Sequence, residues 1–568
     1  MKKLEISTPE ALEKSVSAVY SEHVTNAPSH DLVPVGGTKN QPLIFKNVET
    51  ASNKRLRYAL MKNALAHPLD MSTLSKSSVN LGSNIYGYDL RAPSLHLIPW
   101  LSPVRDVTPR SQHATPADAA HWKSVTAASF STGGFRADPW INQGARAPQF
   151  SFSATTLTAA YVTLGTDGSD TYEAQAAGQG FEDPLSTARF LGLENLMQME
   201  EDALLGGNAT LKLGTANTPT ISGTTPAVTG ATINGTFYVS VVALTYAGYR
   251  NQQVAGGLVQ QKTISTPDGK TQTTNGGMGI VSAASSSQAV TTGNALVASV
   301  VGKPGEMAYA WFLGTSNAAG SMYLQKITTA PTATFTVAVT GTNQKQSALT
   351  AADYSVNDGT TGGQNDQVTA FDGFLTQIIN ASQLSTPNSY YKNLAGGTIT
   401  SSGRGSVEEI DAAFRYAWDN FRTTFDRIYV NSQELINITT ASLSNASGPL
   451  LRYELSGDGD SYDLTAAGTI AYYFNPFVNG GSKIPIIVHP FLPAGTIFLQ
   501  GLKLPAYFKK SNMQSTAEVI CRRDYYGVDW AARTREYEFG TYAEEVLAVY
   551  APFAFGIITG ISDGVGGL

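Results

Sequence analysis

The sequence has 568 residues, of which 42% are hydrophobic and only 14% are charged, and its formal net charge is −6 at pH 7. Its length is enough for about two to four domains of ordinary size. The negative balance excludes a strongly basic protein that binds nucleic acid by bulk attraction. The single cysteine, Cys521, excludes an internal disulfide framework. The low charge content fits a chain that buries much of its surface, some of it between subunits.

Two segments bear on export and membrane insertion. The N-terminus, MKKLEISTPEALEKS, has two lysines but no apolar run behind them, which argues against a signal peptide. The tract LAVYAPFAFGIITG near the C-terminus is interrupted by Pro552 and is shorter than the roughly 18 residues that a membrane-spanning helix needs. We therefore expect buried strands in this tract and no membrane partner.

Residues 1–119 are predicted to be an N-terminal arm rather than a compact domain. Short amphipathic helices are expected after Pro9 and in ASNKRLRYALMKNALAHP, with Pro- and Ser-rich connections between them. Up to Arg110 the arm has 13 Lys and Arg against 9 Asp and Glu. A solvated polar face accounts for this balance more simply than nucleic-acid binding, which stays open as the alternative.

Residues 120–178 switch to a period of two. The stretch PQFSFSATTLTAAYVTLG alternates polar and apolar side chains, and Gly- and Pro-rich interruptions occur at STGGFRADPW and NQGARAP. This pattern predicts a long two-stranded hairpin. Because such a hairpin is too polar to form a core by itself, we expect it to lie on another surface.

A long helix is predicted within residues 179–212, in the stretch GFEDPLSTARFLGLENLMQMEEDALLGGN. Asp183 is a candidate N-cap, Pro184 suits the first helical position, and Gly206 with Gly207 ends the helix. One apolar stripe contains Leu185, Ala188, Gly192, Leu196, Met199 and Ala203, and a second contains Phe190, Leu193, Met197 and Leu204. The two stripes predict a helix that is covered from two sides, either by one core or by a sheet and a neighbouring segment or subunit.

Polar side chains lie between these stripes, and three of them form the acidic run Glu200, Glu201 and Asp202. Adjacent acids on a helix are candidates for general acid-base chemistry, but the run has no convergent partner in the local sequence. We expect it to be a solvated or interfacial edge of the helix.

Residues 213–366 have a different character, with only 11 charged side chains among many Thr, Ser, Gly and Ala. Strands are predicted in GTFYVSVVALTYAG, NALVASVVG, EMAYAWFLGTS, SMYLQKI and TATFTVAV. Short strands with turns at this spacing are typical of an immunoglobulin-like or fibronectin-like β-sandwich. We expect this sandwich to be inserted as a unit into the rest of the fold.

Helical signals return after residue 366, so an α+β body resumes there. A short helix is predicted in FDGFLTQIINAS, and SVEEIDAAFRYAWDNFRTT has a candidate capping box formed by Ser406 and Glu409. The apolar stripe of this second helix is Val407, Ile410, Phe414, Ala417 and Phe421. A strand, a turn and a short helix follow in FDRIYVNSQELINIT, and strands are predicted in IPIIVHPFLPAGTIFLQGL and EYEFGTYAEEVLAVYAPFAFGIITGI.

The sequence has none of the common motifs of nucleotide-binding, redox, metallopeptidase or hydrolase sites, since no P-loop, CxxC pair, HExxH or GxSxG motif occurs in it. His113 and His121 are eight residues apart, which is not a ligand spacing for zinc. Two acidic runs lack the complete register of a calcium loop, and aspartates beside glycine more often form turns. These runs contain Asp167, Asp170 and Glu173 in one case and Asp458, Asp460 and Asp463 in the other.

Cys521 lies between Ile520 and Arg522 in a strand-like run, so it is expected to be packed rather than reactive. Catalysis requires convergent titratable groups, and the chain has few in any one segment. The sequence therefore predicts no catalytic, cofactor-binding or metal-binding residue, no cofactor and no enzymatic activity.

Taken in chain order, four stretches make the sequence resemble the major capsid proteins of tailed bacteriophages, which have the Hong Kong 97-type fold. The stretches are the hairpin region up to YEAQAAGQG, the helix FEDPLSTARFLGLENLMQMEEDALLGGN, the helix-strand-helix VEEIDAAFRYAWDNFRTTFDRIYVNSQELINI, and KIPIIVHPFLPAGTIFLQGL. The most specific piece is the end of the long helix, where acidic residues precede ALLGG. The resemblance covers roughly residues 120–212 and 367–561 and rests on the order of the parts.

The resemblance implies an α+β fold with a defined division of the chain. The implied parts are an N-terminal arm at 1–119, an extended loop hairpin at 120–178, the spine helix of a peripheral domain at 179–212, an inserted immunoglobulin-like β-sandwich at 213–366, a mainly axial domain at 367–515, and a return to the peripheral domain with C-terminal strands at 516–568.

The resemblance also implies a function, which is self-assembly into the icosahedral shell that encloses the double-stranded DNA genome. The chain would then be its own main partner, in hexamers and pentamers, with portal, scaffold and decoration proteins as further partners and weak, non-specific contact with packaged DNA. The implied location is the virion capsid, after assembly in the cytoplasm of the bacterial host.

Two features depart from the simplest members of this family. The β-sandwich is inserted, and we expect it to face outward, because a closed lattice accepts insertions on a free surface. We also expect the arm to be retained rather than removed by a maturation protease. The founding member locks its shell with isopeptide bonds from a loop lysine, but no lysine occurs between Lys123 and Lys212. We therefore expect interdigitated arms, loops and the insert to lock this shell.

Two other classes of function stay open at this point. One is another virion component or a surface-layer-like adhesin that binds through the β-sandwich, although such proteins ordinarily have an export signal or tandem β repeats. The other is a secreted carbohydrate-active enzyme with a pair of acids in an aromatic cleft. The sequence locates neither tandem repeats nor such a cleft.

Overall fold

A computed structural model describes residues 97–112, 119–130, 140–146, 150–178, 183–360, 368–384, 388–402, 405–443, 452–455, 462–465, 470–478, 481–504 and 515–562. They all belong to one compact unit, Ala92–Leu568. The predicted arm before residue 97 lies outside the described residues, as do His113, Asp458 and Asp460.

Helices and strands alternate along the described chain. The helices are α1 Tyr172–Gly178, α2 Pro184–Gly206, α3 Tyr246–Asn251, α4 Phe374–Ser382, α5 Glu408–Phe421 and α6 Ser432–Leu443. The strands are β1 Arg110–Gln112, β2 Ala119–Phe130, β3 Phe150–Ala160, β4 Val162–Thr171, β5 Thr220–Ile221, β6 Gly235–Leu244, β7 Gln261–Ser265, β8 Thr271–Asn275, β9 Gln288–Val290, β10 Leu296–Ser299, β11 Ala308–Gly314, β12 Met322–Thr328, β13 Thr332–Phe335, β14 Tyr390–Asn393, β15 Arg427–Val430, β16 Arg452–Leu455, β17 Tyr462–Thr465, β18 Tyr472–Asn475, β19 Ser482–Val488, β20 Ile497–Gln500, β21 Ala517–Asp529, β22 Glu536–Val549 and β23 Phe555–Thr559. The fold is mixed α+β, as the sequence predicts.

The long helix α2 lies against a four-stranded sheet with the order β1-β21-β22-β4. Strands β21 and β22 are the longest of this sheet, and β4 pairs antiparallel with β22, with Val162 opposite Glu545. Strand β1 pairs parallel with β21, with Arg110 opposite Val519. The segment just before the predicted hairpin is therefore part of this sheet.

The predicted hairpin is present as strands β2 and β3, which pair antiparallel as a two-stranded sheet of their own. Its base contacts the body, because Ala120 is buried and the ring of Trp122 packs edge-on against Tyr550 at 5.9 Å. The expected hairpin range of 120–178 is too long, since β4 and α1 within it belong to the four-stranded sheet and its connection to α2.

Helix α2 begins at Pro184 and ends at Gly206, as predicted. Asp183 occupies the N-cap position without capping, because its carboxylate accepts instead from Nε2 of Gln175 at 2.9 Å. Cover of both stripes by one core is contradicted, since Phe190 is 52% and Met199 is 43% exposed in the single chain, while cover by a neighbouring subunit stays a prediction. The buried apolar positions gather in the second half of the helix, at Leu196, Leu204 and Leu205.

The inserted segment contains all five predicted strands, now β6, β10, β11, β12 and β13. They form two sheets, β13-β10-β5 and β12-β11-β6-β9, whose pairings are antiparallel. Val239 and Trp311 on one sheet pack with Leu296 and Phe335 on the other. The other face of the sheet β12-β11-β6-β9 is covered as well, since Phe312 on β11 belongs to a second apolar cluster inside the insert. A β-sandwich is therefore present, while its immunoglobulin-like topology stays a prediction.

The body after the insert is built on a six-stranded mixed sheet with the order β14-β23-β20-β15-β19-β18. One face packs against α4 through Phe374, and the other packs against α5 through Phe414. The predicted stripe of α5 is confirmed at its buried positions Val407, Ile410, Phe414 and Ala417. Within the described residues, no helix has the length and apolar character needed to cross a membrane.

The predicted capping box of α5 is wrong. Val407, not Ser406, occupies the N-cap position. The Ser406 hydroxyl donates to the Asp411 carboxylate at 2.6 Å, and the Glu409 carboxylate accepts from the backbone N–H of Thr400 at 3.0 Å. Glu409 therefore binds the chain that leads into α5 and Ser406 binds the first turn of the helix, so neither side chain binds the other's backbone.

Candidate functional site

The acidic run near the end of α2 is buried and forms the centre of a polar cluster. Glu200 is 1% and Glu201 is 0% exposed, while Asp202 is partly buried. The expectation of a solvated helix edge is therefore wrong for the first two acids. Their burial is accommodated because each carboxylate meets several hydrogen-bond donors from segments that are distant in sequence.

Glu200 binds two arginines that precede the hairpin. Its carboxylate accepts from Nε of Arg105 at 2.8 Å, and it also accepts from Nη1 of Arg110 and from the hydroxyl of Tyr525 on β21. Arg110 extends the network, because its Nη2 lies 2.8 Å from Oε2 of Glu545 on β22. The polar network therefore joins α2 to the chain at 105–110 and to both long strands.

The pKa values of Glu545 and Cys521 in this network are shifted by their surroundings. Burial, and next the negative charge of Glu200, raise the pKa of Glu545 to about 7, although Arg110 opposes the shift. Burial also raises the pKa of the Cys521 thiol to about 12. The prediction that Cys521 is packed is confirmed, since it is buried with its sulfur 3.3 Å from Nη2 of Arg110. A thiol in this state is a poor nucleophile.

Glu201 binds a different set of groups. Its carboxylate accepts from the backbone N–H groups of Val104 at 3.0 Å and of Arg105 at 2.6 Å, where a short 3-10 turn begins. It also lies 2.6 Å from Nε2 of His489, and both side chains are fully buried. Nδ1 of His489 accepts from the N–H of Phe491, which assigns the donating hydrogen to Nε2.

His489 is one of several members of this cluster that the sequence does not single out. It directly follows β19, and its N–H donates to the carbonyl of Val430 on the neighbouring strand β15 at 2.8 Å. The only local signal is a histidine directly after an apolar strand, and such a position does not by itself indicate a buried ion pair. The partner that explains it, Glu201, is 288 positions away.

Asp202 faces the insert. One oxygen accepts from the Tyr246 hydroxyl at 2.7 Å, and the other lies 3.2 Å from Nη2 of Arg250. Burial raises the pKa of Asp202, while Tyr246 and Arg250 oppose the shift. Glu200 and Glu201 therefore both bind the segment at 104–110, together with β21 and the end of β19 respectively, while Asp202 binds the insert. This arrangement is that of a structural junction.

The other candidate residues do not converge on a site. The Asp167 carboxylate accepts from the Tyr542 hydroxyl, and Glu173 pairs with Arg535 at 2.6 Å. Nδ1 of His121 lies 3.0 Å from Oγ1 of Thr158. Asp463 is on β17 in a separate two-stranded sheet, and Asp170 lies on β4. No group of three His, Cys, Asp or Glu with the geometry of a metal site occurs in the described part of the chain.

Exposed apolar side chains lie at two places next to the hairpin. Leu97 and Ile98, in the segment that precedes the polar cluster, are 88% and 63% exposed. Trp140 and Ile141, in the connection between β2 and β3, are 81% and 49% exposed. Large apolar groups in such positions are typical of surfaces that contact another molecule.

No protein-family model matches the chain, and no curated protein matches it significantly. Solved structures match over most of its length. The capsid of a native GTA particle is 9% identical over 86% of this chain and 100% of that chain, with a TM-score of 0.39. The capsid of the Myoviridae phage XM1 is 9% identical over 86% and 100% of the two chains, with a TM-score of 0.34. The holo-SrpI encapsulin complex from Synechococcus elongatus is 8% identical over 84% and 95%, with a TM-score of 0.34.

The described elements follow the expected order, with a hairpin, a long helix and then a mixed sheet between helices.

Proposed function

We propose that this chain is the major capsid protein of a tailed bacteriophage. In this role it assembles with copies of itself, as hexamers and pentamers, into the icosahedral shell around the double-stranded DNA genome. The observation that carries the proposal is the hairpin β2–β3, a separate two-stranded sheet that leaves the body just before the long helix.

A hairpin of this kind needs a partner. With 12 residues in β2, it extends for roughly 40 Å at the usual rise of a strand. Among the described residues, each of its strands pairs only with the other, so both outer edges are left without a strand. An isolated two-stranded hairpin is at best marginally stable in water. A symmetric lattice supplies the missing surface from an adjacent copy.

The exposed side chains support the same proposal. At its base the hairpin exposes Leu157, which lies opposite Trp122, and its connecting segment exposes Trp140 and Ile141. Burial of such groups against another copy contributes roughly 25 cal/mol for each Å² removed from water. The hairpin therefore has both unpaired backbone edges and apolar side chains to bury.

The division of the chain is part of the proposal. The residues before the hairpin act as the arm, and the hairpin β2–β3, residues 119–160, acts as the extended loop. The peripheral domain consists of 162–212 with 516–568, because β4 belongs to the sheet on which α2 lies, and 367–515 form mainly the axial domain. The sandwich at 213–366 is an outward-facing insertion. The chain acts in the virion after assembly in the host cytoplasm, with portal, scaffold and decoration proteins as its further partners.

The proposal includes no enzymatic activity and no covalent cross-link from the hairpin. The buried acids at 200–202 are each held by structural partners, so none is directed at an open cleft. Because the sequence has no lysine between Lys123 and Lys212, arms, loops and the insert lock the shell without isopeptide bonds from this region. Mature particles should then show no ladder of covalent multimers on a denaturing gel.

Electron microscopy of the purified full-length protein tests the proposal. We expect closed shells, tubes or capsomer rings. A variant in which residues 124–155 are replaced by a short Gly-Ser turn should stay folded and lose assembly, because the base of the hairpin with Ala120 and Trp122 is kept. A full-length protein that stays a monodisperse monomer over a wide range of salt, pH and concentration would overturn the proposal.

A further inference from the structure

The base of the insert is packed onto the end of the long helix through Tyr246. Its ring occupies the space over Gly206, where a Cβ atom would lie only 1.9 Å from the ring. Tyr246 is 5% exposed and belongs to the core of the body, where Leu205 and Leu375 also lie. The first residue of α3 in the insert therefore completes the packing around the last residue of α2.

A charged contact lies beside this ring. Arg250 of α3 pairs with Asp202 on α2 at 3.2 Å, and its guanidinium stands over the ring of Phe491 at 4.6 Å. Phe491 in turn donates its N–H to His489, the partner of Glu201. Arg250 of the insert thus contacts both α2 and the loop after β19, which Glu201 binds through His489.

The two ends of the insert are joined by hydrogen bonds at the same place. Nδ2 of Asn208, just after α2, donates to the carbonyl of Ser355 at 2.9 Å, and the N–H of Asn357 donates back to the carbonyl of Asn208 at 3.0 Å. The N–H of Leu213 donates to the Ser355 hydroxyl at 3.1 Å. Entry and exit of the insert are therefore paired to each other instead of being loose linkers.

The start of helix α4 is hydrogen-bonded to the residue that follows α2. The N–H of Gly373 donates to the carbonyl of Gly207 at 2.9 Å, and the hydroxyl of Thr376 donates to the same carbonyl at 2.6 Å. Met307 of the insert is buried in the core to which α4 contributes. The end of α2, the start of α4 and the base of the insert consequently share one set of contacts.

We infer that the insert braces the C-terminal turn of the long helix, so that the insert base, this turn and α4 open as one cooperative unit. The composition of residues 213–366 alone indicates a separate module, inserted into a fold whose own packing is complete without it. The contacts of Tyr246, Arg250 and Met307 indicate instead that the body's packing is incomplete without the insert. The inference goes beyond shell assembly, because it concerns the folded chain itself.

Hydrogen exchange of the full-length chain, read by mass spectrometry, tests this brace. In Tyr246→Ala we expect exchange to rise at least about tenfold in Ala203–Asn208 and in α4, outside the mutated insert. The matched control is Tyr249→Ala on the same short helix, because Tyr249 packs against the second apolar cluster inside the insert. This control should raise exchange within the insert and leave Ala203–Asn208 and α4 at the rate of the unaltered chain.

Two results would overturn the inference. One is a Tyr246→Ala protein in which exchange rises in the insert alone, as in the control. If Tyr246→Ala does not fold, Tyr246→Leu decides, since it removes the ring over Gly206 but keeps a large apolar side chain. The brace then requires faster exchange at Ala203–Asn208 in Tyr246→Leu, and unchanged exchange in that turn rejects it.

Discussion

His489 and Glu201 form a buried pair in which Nε2 lies 2.6 Å from Oε1, although the residues are 288 positions apart. The pair joins the end of β19 to the long helix α2, and Glu201 also accepts two backbone N–H groups of the chain before the hairpin. A buried carboxylate with three donors is costly to disturb, because removal of its charge leaves those donors without a full partner.

The first prediction concerns this pair. Glu201→Gln should lower the free energy of unfolding by about 3 to 5 kcal/mol, as expected when one partner of a buried charged network is removed. Urea unfolding of the full-length chain, followed by circular dichroism, measures the change. Glu194→Gln on the same helix is the control, since Glu194 is less buried than Glu201. This substitution should lower the free energy of unfolding by under about 1 kcal/mol. Equal stabilities of the two variants would contradict the role given to Glu201.

The second prediction concerns pH and Glu545. Its pKa is raised from an ordinary value of 4.5 to about 7 in the folded chain. The folded state therefore keeps a proton that the unfolded state releases between these values. The contribution of Glu545 to stability is fully present below pH 4.5 and is lost as the pH rises to about 7.

Glu545→Gln imitates the protonated carboxyl and should remove this contribution to the pH dependence. The measurement is the midpoint of thermal unfolding at intervals from pH 4.5 to 8, for the unaltered chain and the variant. Glu518→Gln on the adjacent strand β21 is the control and should keep the original slope. If the Glu545→Gln curve is parallel to that of the unaltered chain over the whole interval, another group carries the pH dependence.

Local periodicity was sufficient to predict much of the fold. The stripe of α5 with Phe414, the five strands of the insert and the hairpin all follow from spacings that repeat within a few residues. For α5 the pattern also reports which face of the helix is buried, and the structure confirms that face. The α+β class follows from the order of these elements.

The polar cluster could not be predicted in this way. Glu200 and Glu201 fall on the polar side of the helical period, and a local pattern assigns such positions to solvent. They are buried because Arg105, Tyr525 and His489 arrive from three distant parts of the chain. The same limit explains Ser406, whose hydroxyl binds Asp411 in place of the cap that its sequence motif predicts.

The third prediction concerns Gly206. Gly206→Ala should destabilise the chain by about 1 to 3 kcal/mol, because the added Cβ would overlap the ring of Tyr246. Gly192→Ala on the same helix is the control, since its Cβ would lie 3.7 Å from Phe539, an ordinary contact. The control should be neutral or stabilising by up to about 1 kcal/mol, as a glycine is replaced within a helix. Thermal unfolding of both variants measures the difference, and a Gly206→Ala chain as stable as the control would contradict the packing of Tyr246.

The fourth prediction tests the hairpin as the surface that assembles. Ile141 in the hairpin connection is 49% exposed, and Ile264 on β7 of the insert is 54% exposed, so they are matched in type and exposure. Ile141→Asp should reduce assembly at least about tenfold, because a charge at a buried contact between copies is left unpaired. Ile264→Asp should assemble as the unaltered chain does, since β7 pairs with β8 in a small two-stranded sheet of the insert, which we place on the outer surface, away from the contacts that lock the shell.

Sedimentation of the assembled fraction, with electron microscopy of the pellet, provides the measurement. The free energy of unfolding of both variants should lie within about 0.5 kcal/mol of that of the unaltered chain, because each variant replaces an exposed side chain. A shared fall in stability would mean that the effect is on folding. Normal shells from Ile141→Asp together with lost assembly in Ile264→Asp would move the contact between copies from the hairpin to the insert.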